Sequence, residues 1–280
     1  MRKYPDFPRD LPDPSEANPL AFAVASRDRE TLAMVRRAIE RNDVLLAFQP
    51  IMQTARPEHP AFYEGLIRVL DDAGRVIPSH DFIGAAETTE LGRRLDCLAL
   101  DMGLMSLAEN PKLRLSVNMS ARSIGWPEWT RILTRWLARD DTLGERLILE
   151  ITEASAMTMP ELVSVFMHEM HMKGICFAID DFGAGYTSLR YLREFYFDIL
   201  KISGQFISGI ADNPDSQVLT KALLSIAGHF EMFTVAEGVE TAEDAAWLAR
   251  QGVDCMQGYY FGAPTLMPPW SVPEARQAGR

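Results

Sequence analysis

The chain has 280 residues, 47% hydrophobic and 24% charged, with a formal net charge of −11 at pH 7. This is the composition of an ordinary globular protein with material for a sizeable core, in one large α/β domain or two small ones. The negative charge argues against a nonspecific binder of duplex DNA or of an anionic membrane, and leaves room for a small phosphorylated ligand held through metal ions. No apolar run approaches membrane-spanning length, and the N-terminus lacks the apolar core of a signal peptide. Three dispersed cysteines, Cys97, Cys176 and Cys255, read as buried free thiols of a reducing compartment, which places the chain in the cytoplasm.

Taken in order, the leader MRKYPDFPRDLPDPSEANP is proline-rich and charged and predicts an extended arm, given the bounds 1–28. Leu32, Val35 and Ile39 share a helical face, and a strand then runs from Val44 to Phe48 and ends at Gln49. Ala61 to Val69 is a second strand, carrying Glu64 and Arg68. Helical patterns fill Phe82 to Asn110. Leu113 to Val117 is the third strand, ending at Asn118. Trp129, Ile132, Leu133, Trp136 and Leu137 form a helical stripe assigned to the core. Leu147 to Leu149 ends at Glu150, with Glu153 just beyond. The next helix, to Lys173, carries His168 and His171, read as an ordinary helix face because no third ligand is near.

The fifth strand, Cys176 to Ile179, ends in adjacent acids, Asp180 and Asp181, before a glycine-rich loop. Two carboxylates at the mouth of a buried strand are unfavourable unless positive charge lies between them. Phe197 to Leu200 ends at Lys201; Phe233 to Ala236 ends at Glu237, with Glu240 following; Asp254 to Met256 ends at Gln257. Asn213 and Thr241 are expected helix caps, and Gly252 a helix stop.

Eight short apolar runs, mostly alternating with helices, thus each end in or carry a polar residue. The pattern predicts a closed (β/α)8 barrel whose strand ends converge on one functional face. The residues collected there are rich in oxygen donors suited to magnesium or manganese, with Lys201 as a cation among them.

The segments FQPI, YEGLIR, SVNMSARS, LEITE, IDDFGAGYTSL, LKIS, AEGVET and QGYYF, in this order, resemble the successive motifs of the EAL-domain family, over about Leu32 to Pro264. The resemblance implies a modified TIM barrel of EAL-domain type, with residues 29–268 as the phosphodiesterase domain and 269–280 as a tail. It implies metal-dependent hydrolysis of cyclic-di-GMP to linear 5'-pGpG with two Mg2+ or Mn2+ ions. Glu64, Asn118, Glu150 and Asp180 resemble ligands of the first ion, with Asp180, Asp181 and Glu237 around the second. Lys201 resembles the residue that holds or deprotonates the attacking water. Gln49, Arg68 and Gln257 resemble substrate contacts, Glu153 an anchor of the Asp181–Leu189 loop, and Glu240 a support behind the ligands. The resemblance also implies a homodimer.

Two positions depart from the family pattern. Gly65 replaces the alanine of Glu-Ala-Leu, which predicts a mild loosening around Glu64. Ser203 stands where an aspartate usually follows Lys-Ile, and is expected to alter the tuning of Lys201. These changes leave a second reading, a weakly catalytic receptor for cyclic-di-GMP or a protein-interaction module.

Overall fold

The structure is a computed structural model that describes residues 19–183 and 191–271. It begins with α1 (Pro19–Arg41), then the hairpin β1 (Val44–Gln53) and β2 (Arg56–Leu70), followed by β3 (Val76–Pro78), α2 (Ile83–Ala86) and α3 (Glu90–Glu109). Next come β4 (Leu115–Asn118), α4 (Pro127–Leu137), β5 (Leu147–Thr152), α5 (Glu153–Ala156), α6 (Pro160–His171) and β6 (Cys176–Phe182). The last elements are β7 (Ile199–Ile202), α7 (Gly204–Ile207), α8 (Pro214–His229), β8 (Phe233–Ala236), α9 (Ala242–Gln251) and β9 (Cys255–Met256).

The helix ends follow from local chemistry. Thr89 caps α3 through Leu91 N, Asn213 caps α8 through Asp215 N and Ser216 N, and Thr241 caps α9 through Asp244 N. Each side-chain oxygen satisfies an amide that has no partner within its own helix. Gly252 ends α9 with φ +82, a left-handed position that glycine adopts without a Cβ clash.

All the strands belong to one sheet, in the order β1-β9-β8-β7-β6-β5-β4-β2-β3, and pairing of β1 with β2 closes it into a barrel. Eight strands make the wall; β3 only extends the edge of β2. The neighbours from β2 and β4 through β9 are parallel, but β1 is antiparallel to both β2 and β9. The reversed β1 is the modification of the TIM barrel, whose strands otherwise mostly alternate with helices as expected. Gln49 does not end a strand: it lies inside β1, opposite Glu64. Lys201 likewise lies within β7, whose bounds fall two residues later than expected.

A hairpin in place of a strand-helix-strand crossover leaves part of the outer wall without a helix. The C-terminal segment covers it. Thr265 exchanges backbone hydrogen bonds with Phe48 at 2.8 and 3.0 Å, and Trp270 meets the rings of Phe48 and Tyr63 edge-on, with centroids 5.1 and 4.7 Å away. The boundary expected at 268/269 is therefore corrected, because Trp270 packs with the barrel. So is the arm expected over 1–28: residues 19–28 are helical, since proline suits a first helical position and the following residues are good helix formers. Residues 1–18 and 272–280 lie outside the described residues.

Between wall and helices lies the main core, including Leu104, Leu115, Trp129, Phe166, Phe177 and Leu200. A second set, Ile51, Phe62, Ile148, Ala178, Ile199, Val235 and Cys255, comes from seven different strands and fills the barrel interior. These side chains form the floor of the site.

Candidate active site

Side chains on a strand alternate between its faces, so residues two apart point the same way. Two positions beyond the interior residues Phe62, Ile148, Ala178, Ile199, Val235 and Cys255 stand Glu64, Glu150, Asp180, Lys201, Glu237 and Gln257. On the reversed strand β1, Gln49 lies two positions before Ile51. The barrel thus holds an apolar layer with a polar ring directly above it, toward the C-terminal ends of the parallel strands. Asp181 joins its neighbour Asp180 at the cavity by breaking the alternation. Its φ is +52, at the irregularity where β6 loses register with β7.

Lys201 is at the centre of the ring and 1% exposed. Its Nζ lies 2.6 Å from Glu150, 2.8 Å from Glu237, 3.0 Å from Asp180 and 3.4 Å from Glu64. Burial opposes its charge, but the surrounding carboxylates, Asp180 foremost, hold its pKa well above the usual lysine value. These contacts favour the charged form of Lys201 among the ring carboxylates. Burial also acts on Glu64, but the Lys201 charge and hydrogen bonds from Gln257, Asn118 and Lys201 outweigh it and lower the pKa. Asn118 Nδ2 donates to Glu64 Oε1 at 2.8 Å, and Gln257 Nε2 to Glu64 Oε2 at 2.7 Å.

The other ring carboxylates are less well compensated. Burial and the charge of Glu64 push Glu150 up to about 8. Burial raises Asp180 and raises Glu237 well above the ordinary range. Four acids, Glu64, Glu150, Asp180 and Glu237, surround the single Lys201 ammonium, and Asp181 adds a fifth carboxylate at the same cavity.

Among the described residues, no three Asp, Glu, His or Cys side chains already enclose a cation cage; the Lys201 ammonium lies between the acids. The donor chemistry nevertheless fits hard divalent cations. The ring offers oxygen ligands, carries excess negative charge, and leaves Glu150 Oε1 buried with no hydrogen-bond partner among the described residues. By giving its nitrogen to Glu64, Asn118 keeps its carbonyl oxygen for another partner.

Two adjoining cavities of about 300 and 350 Å3 open onto the ring and share Glu64, Leu66, Ser79, His80, Asp180 and Asp181. The second contains Arg68, whose guanidinium donates to Ile67 O at 2.9 Å and Ser79 Oγ at 3.3 Å. Gln257 Nε2 also donates to Gln49 Oε1 at 3.1 Å, and Gln49 Nε2 to Gly262 O at 3.0 Å. Gln49 and Gln257 are thus tied together beside Glu64. Glu240 is exposed on this cavity's wall and makes no side-chain hydrogen bond among the described residues. That placement corrects its reading as a support behind the ligands.

Glu153, 4% exposed at the start of α5, accepts from Gly183 N at 3.2 Å. Residues 184–190, including most of the loop it was expected to anchor, lie outside the described residues. Ser203 donates to Asp181 Oδ1 at 3.1 Å, which corrects the expectation that this position acts on Lys201. His171 meets Asp198 at 3.0 Å and the Phe177 ring edge-on, a packed helix face as expected.

Sequence reasoning missed Asp96, at the far end of the first cavity with Glu87 and Ser120. Asp96 accepts from Ser123 Oγ at 2.6 Å and Ser120 N at 3.0 Å. Burial pushes its pKa to about 7, with Glu87 adding to the rise against these hydrogen bonds. The available signal was an acid between Leu95 and Cys97, next to the apolar face of α3.

Comparison with known proteins accords with this geometry. The EAL domain family matches residues 32–264. The chain is 30% identical over 234 residues to the cyclic di-GMP phosphodiesterase PdeB of Shewanella oneidensis, covering 82% of this chain and 27% of that protein. The first curated relatives are longer proteins, of which this chain spans 27–45%. Among solved structures, the PaMucR phosphodiesterase in complex with c-di-GMP is 28% identical, with 89% of this chain and 99% of that chain covered and a TM-score of 0.76. The FimX EAL domain from Pseudomonas aeruginosa bound to c-di-GMP is 25% identical, with 84% and 96% covered and a TM-score of 0.76. A barrel with one reversed strand, a ring of strand-borne acids and a family match across most of its length make this chain a member of the EAL domain family.

Proposed function

We propose that the chain hydrolyses one phosphodiester bond of cyclic-di-GMP to linear 5'-pGpG, with two divalent cations, Mg2+ or Mn2+, at the ring. The observation that carries the reading is the set of buried acids around Lys201 at the mouth of a barrel, beside a cavity containing Arg68. Its relatives' names support the choice of substrate.

In this reading Glu64, Asn118, Glu150 and Asp180 hold one cation, and Asp180, Asp181 and Glu237 the other. Bound there, the cations would lower the pKa of water and neutralise charge on the phosphate. The chain's own groups do the rest. Arg68 binds a phosphate oxygen with its planar fork of donors. Gln49 and Gln257, each fixed by the other, orient substrate beside Glu64. Lys201 remains charged; it donates to the attacking water and stabilises negative charge as it develops. The apolar floor of Phe62, Ile148, Ile199 and Val235 closes the barrel below the ring and keeps bulk water from entering that way.

The test is incubation of the purified chain with cyclic-di-GMP and Mg2+ or Mn2+, with chromatography of the products. pGpG is expected with cation and none after exhaustive chelation. Tight binding without pGpG under both metals would replace the enzyme with the receptor reading. The proposal extends to a homodimer acting in the cytoplasm, with light scattering as its check. Among the described residues no helix is long and apolar enough to cross a membrane.

A further inference from the structure

The turn after Lys201 grips the turn that carries Asp181. Ser203 holds the N-cap position of α7, yet its side chain accepts no helix amide. A serine in that position ordinarily gives its oxygen to the N–H groups of its own helix. Here the hydroxyl, on a residue only 6% exposed, donates 3.1 Å across to Asp181 Oδ1. Three residues on, Phe206 packs so closely under Gly183 that a Cβ on Gly183 would lie 2.9 Å from its ring. From the other side Glu153 accepts from Gly183 N. Asp181 needs such holding. A residue with a Cβ is disfavoured in the left-handed region, Asp less than most, and persists there where its surroundings fix it.

We propose that Ser203 is a positioning residue of Asp181. Its hydroxyl fixes the carboxylate toward the cavity while adding no charge of its own. This deepens the function proposed above and rests on its two-cation site. The side chain two residues beyond Lys201 thereby governs the cation held by Asp181, and leaves the first cation, at Glu64, Asn118, Glu150 and Asp180, untouched. Asp180 and Lys201 are not its targets: their mutual contact at 3.0 Å does not involve Ser203.

The experiment is a Mn2+ titration of the purified chain, with free Mn2+ read by electron paramagnetic resonance and folding by circular dichroism. Wild type is expected to bind two Mn2+ per chain. Ser203→Ala should keep one at wild-type affinity and bind the other about two- to tenfold more weakly, the range of a single lost hydrogen bond. Ser203→Thr, which retains the hydroxyl, should restore both. Ser203→Asp sets a second carboxylate against Asp181. It should melt lower than wild type without cation and gain more in melting temperature on adding Mn2+. A folded Ser203→Ala whose isotherm superimposes on wild type overturns the assignment and leaves the proposed function standing. Failure of a folded Ser203→Thr to rescue overturns it too. A wild-type chain that binds fewer than two Mn2+ overturns the two-cation reading and this assignment together.

Discussion

Lys201 Nζ lies 2.6 Å from Glu150 Oε2, and neither residue is more than 1% exposed. The ammonium serves as the ring's own counter-charge. Lys201→Met removes that charge at similar side-chain length. Losing one member of a buried ion pair is destabilising by about 3–5 kcal/mol, because a charge is left uncompensated. The cation-free variant should therefore melt well below wild type and recover much of the difference in Mn2+. Its turnover of cyclic-di-GMP should fall about 10^2- to 10^3-fold, the range for loss of one donor that stabilises developing negative charge. Rates equal to wild type would remove Lys201 from the mechanism.

Glu153 and Gly183 give a second prediction. Glu153→Ala deprives the Gly183 amide of its acceptor and loosens the turn beside Asp181. Turnover is expected to drop at least about tenfold, from a disturbance of around 1.4 kcal/mol or more at the site. The half-saturating cation concentration should rise, with the thermal melt little changed. Cation-dependent kinetics provide the check, and unchanged kinetics would refute the anchor.

Asp96 predicts a pH dependence. Its pKa is pushed to about 7 in the folded chain against 3.8 ordinarily, so over that interval the folded state binds more protons than the unfolded state. Stability from this group is present in full below about pH 4 and is lost as pH rises toward 7. Asp96→Asn removes the titration and keeps an oxygen to accept from Ser123 and Ser120. The variant should match wild type within error near pH 4 and melt higher at pH 8. The gain at pH 8 is expected to be about 1–4 kcal/mol, since each pKa unit corresponds to about 1.4 kcal/mol. A melting-temperature difference between variant and wild type that does not vary with pH would reject the buried-acid assignment.

Gly65 gives the fourth. A Cβ there would meet Leu46 Cδ2 at 3.1 Å and Ser116 O at 3.3 Å. The nearer atom is the far end of a flexible side chain and can give way. Gly65→Ala should raise stability by up to about 1 kcal/mol, through reduced freedom of the unfolded chain, with turnover within about twofold of wild type. Denaturant unfolding and steady-state kinetics test it; a large loss of either stability or rate would mean that Leu46 cannot move.

The ring acids were legible because the period of two that buries Phe62, Ile148, Ala178 and Val235 also sets Glu64, Glu150, Asp180 and Glu237 above them. The direction of β1 was not. The turn that reverses the chain, Thr54 and Ala55, contains none of the Gly, Asn or Asp that mark tight hairpins, so Gln49 read as a strand end. Asp96 was invisible because burial of an acid depends on packing across α3 and β4, and one helical acid looks like any other in sequence. Ser203 was seen as a departure, but its partner was misassigned: Asp181 leaves the regular strand at a positive φ, and nothing local in the sequence says that it turns toward Ser203.

The closure between β1 and β9 bears on how the chain is made. Phe48 pairs with Thr265, and Gln49 with Gln257, across more than 200 residues. Such pairings are late and slow in folding, because a long stretch of chain must be ordered before they form. On the ribosome the first hairpin is synthesised early and waits with Phe48 and Tyr63 uncovered until Trp270 emerges. The Gln49–Gln257–Glu64 contacts likewise wait for Gln257, which follows β9. The seam of the barrel and the Gln49–Gln257 side of the site thus both depend on the last stretch of chain to be made.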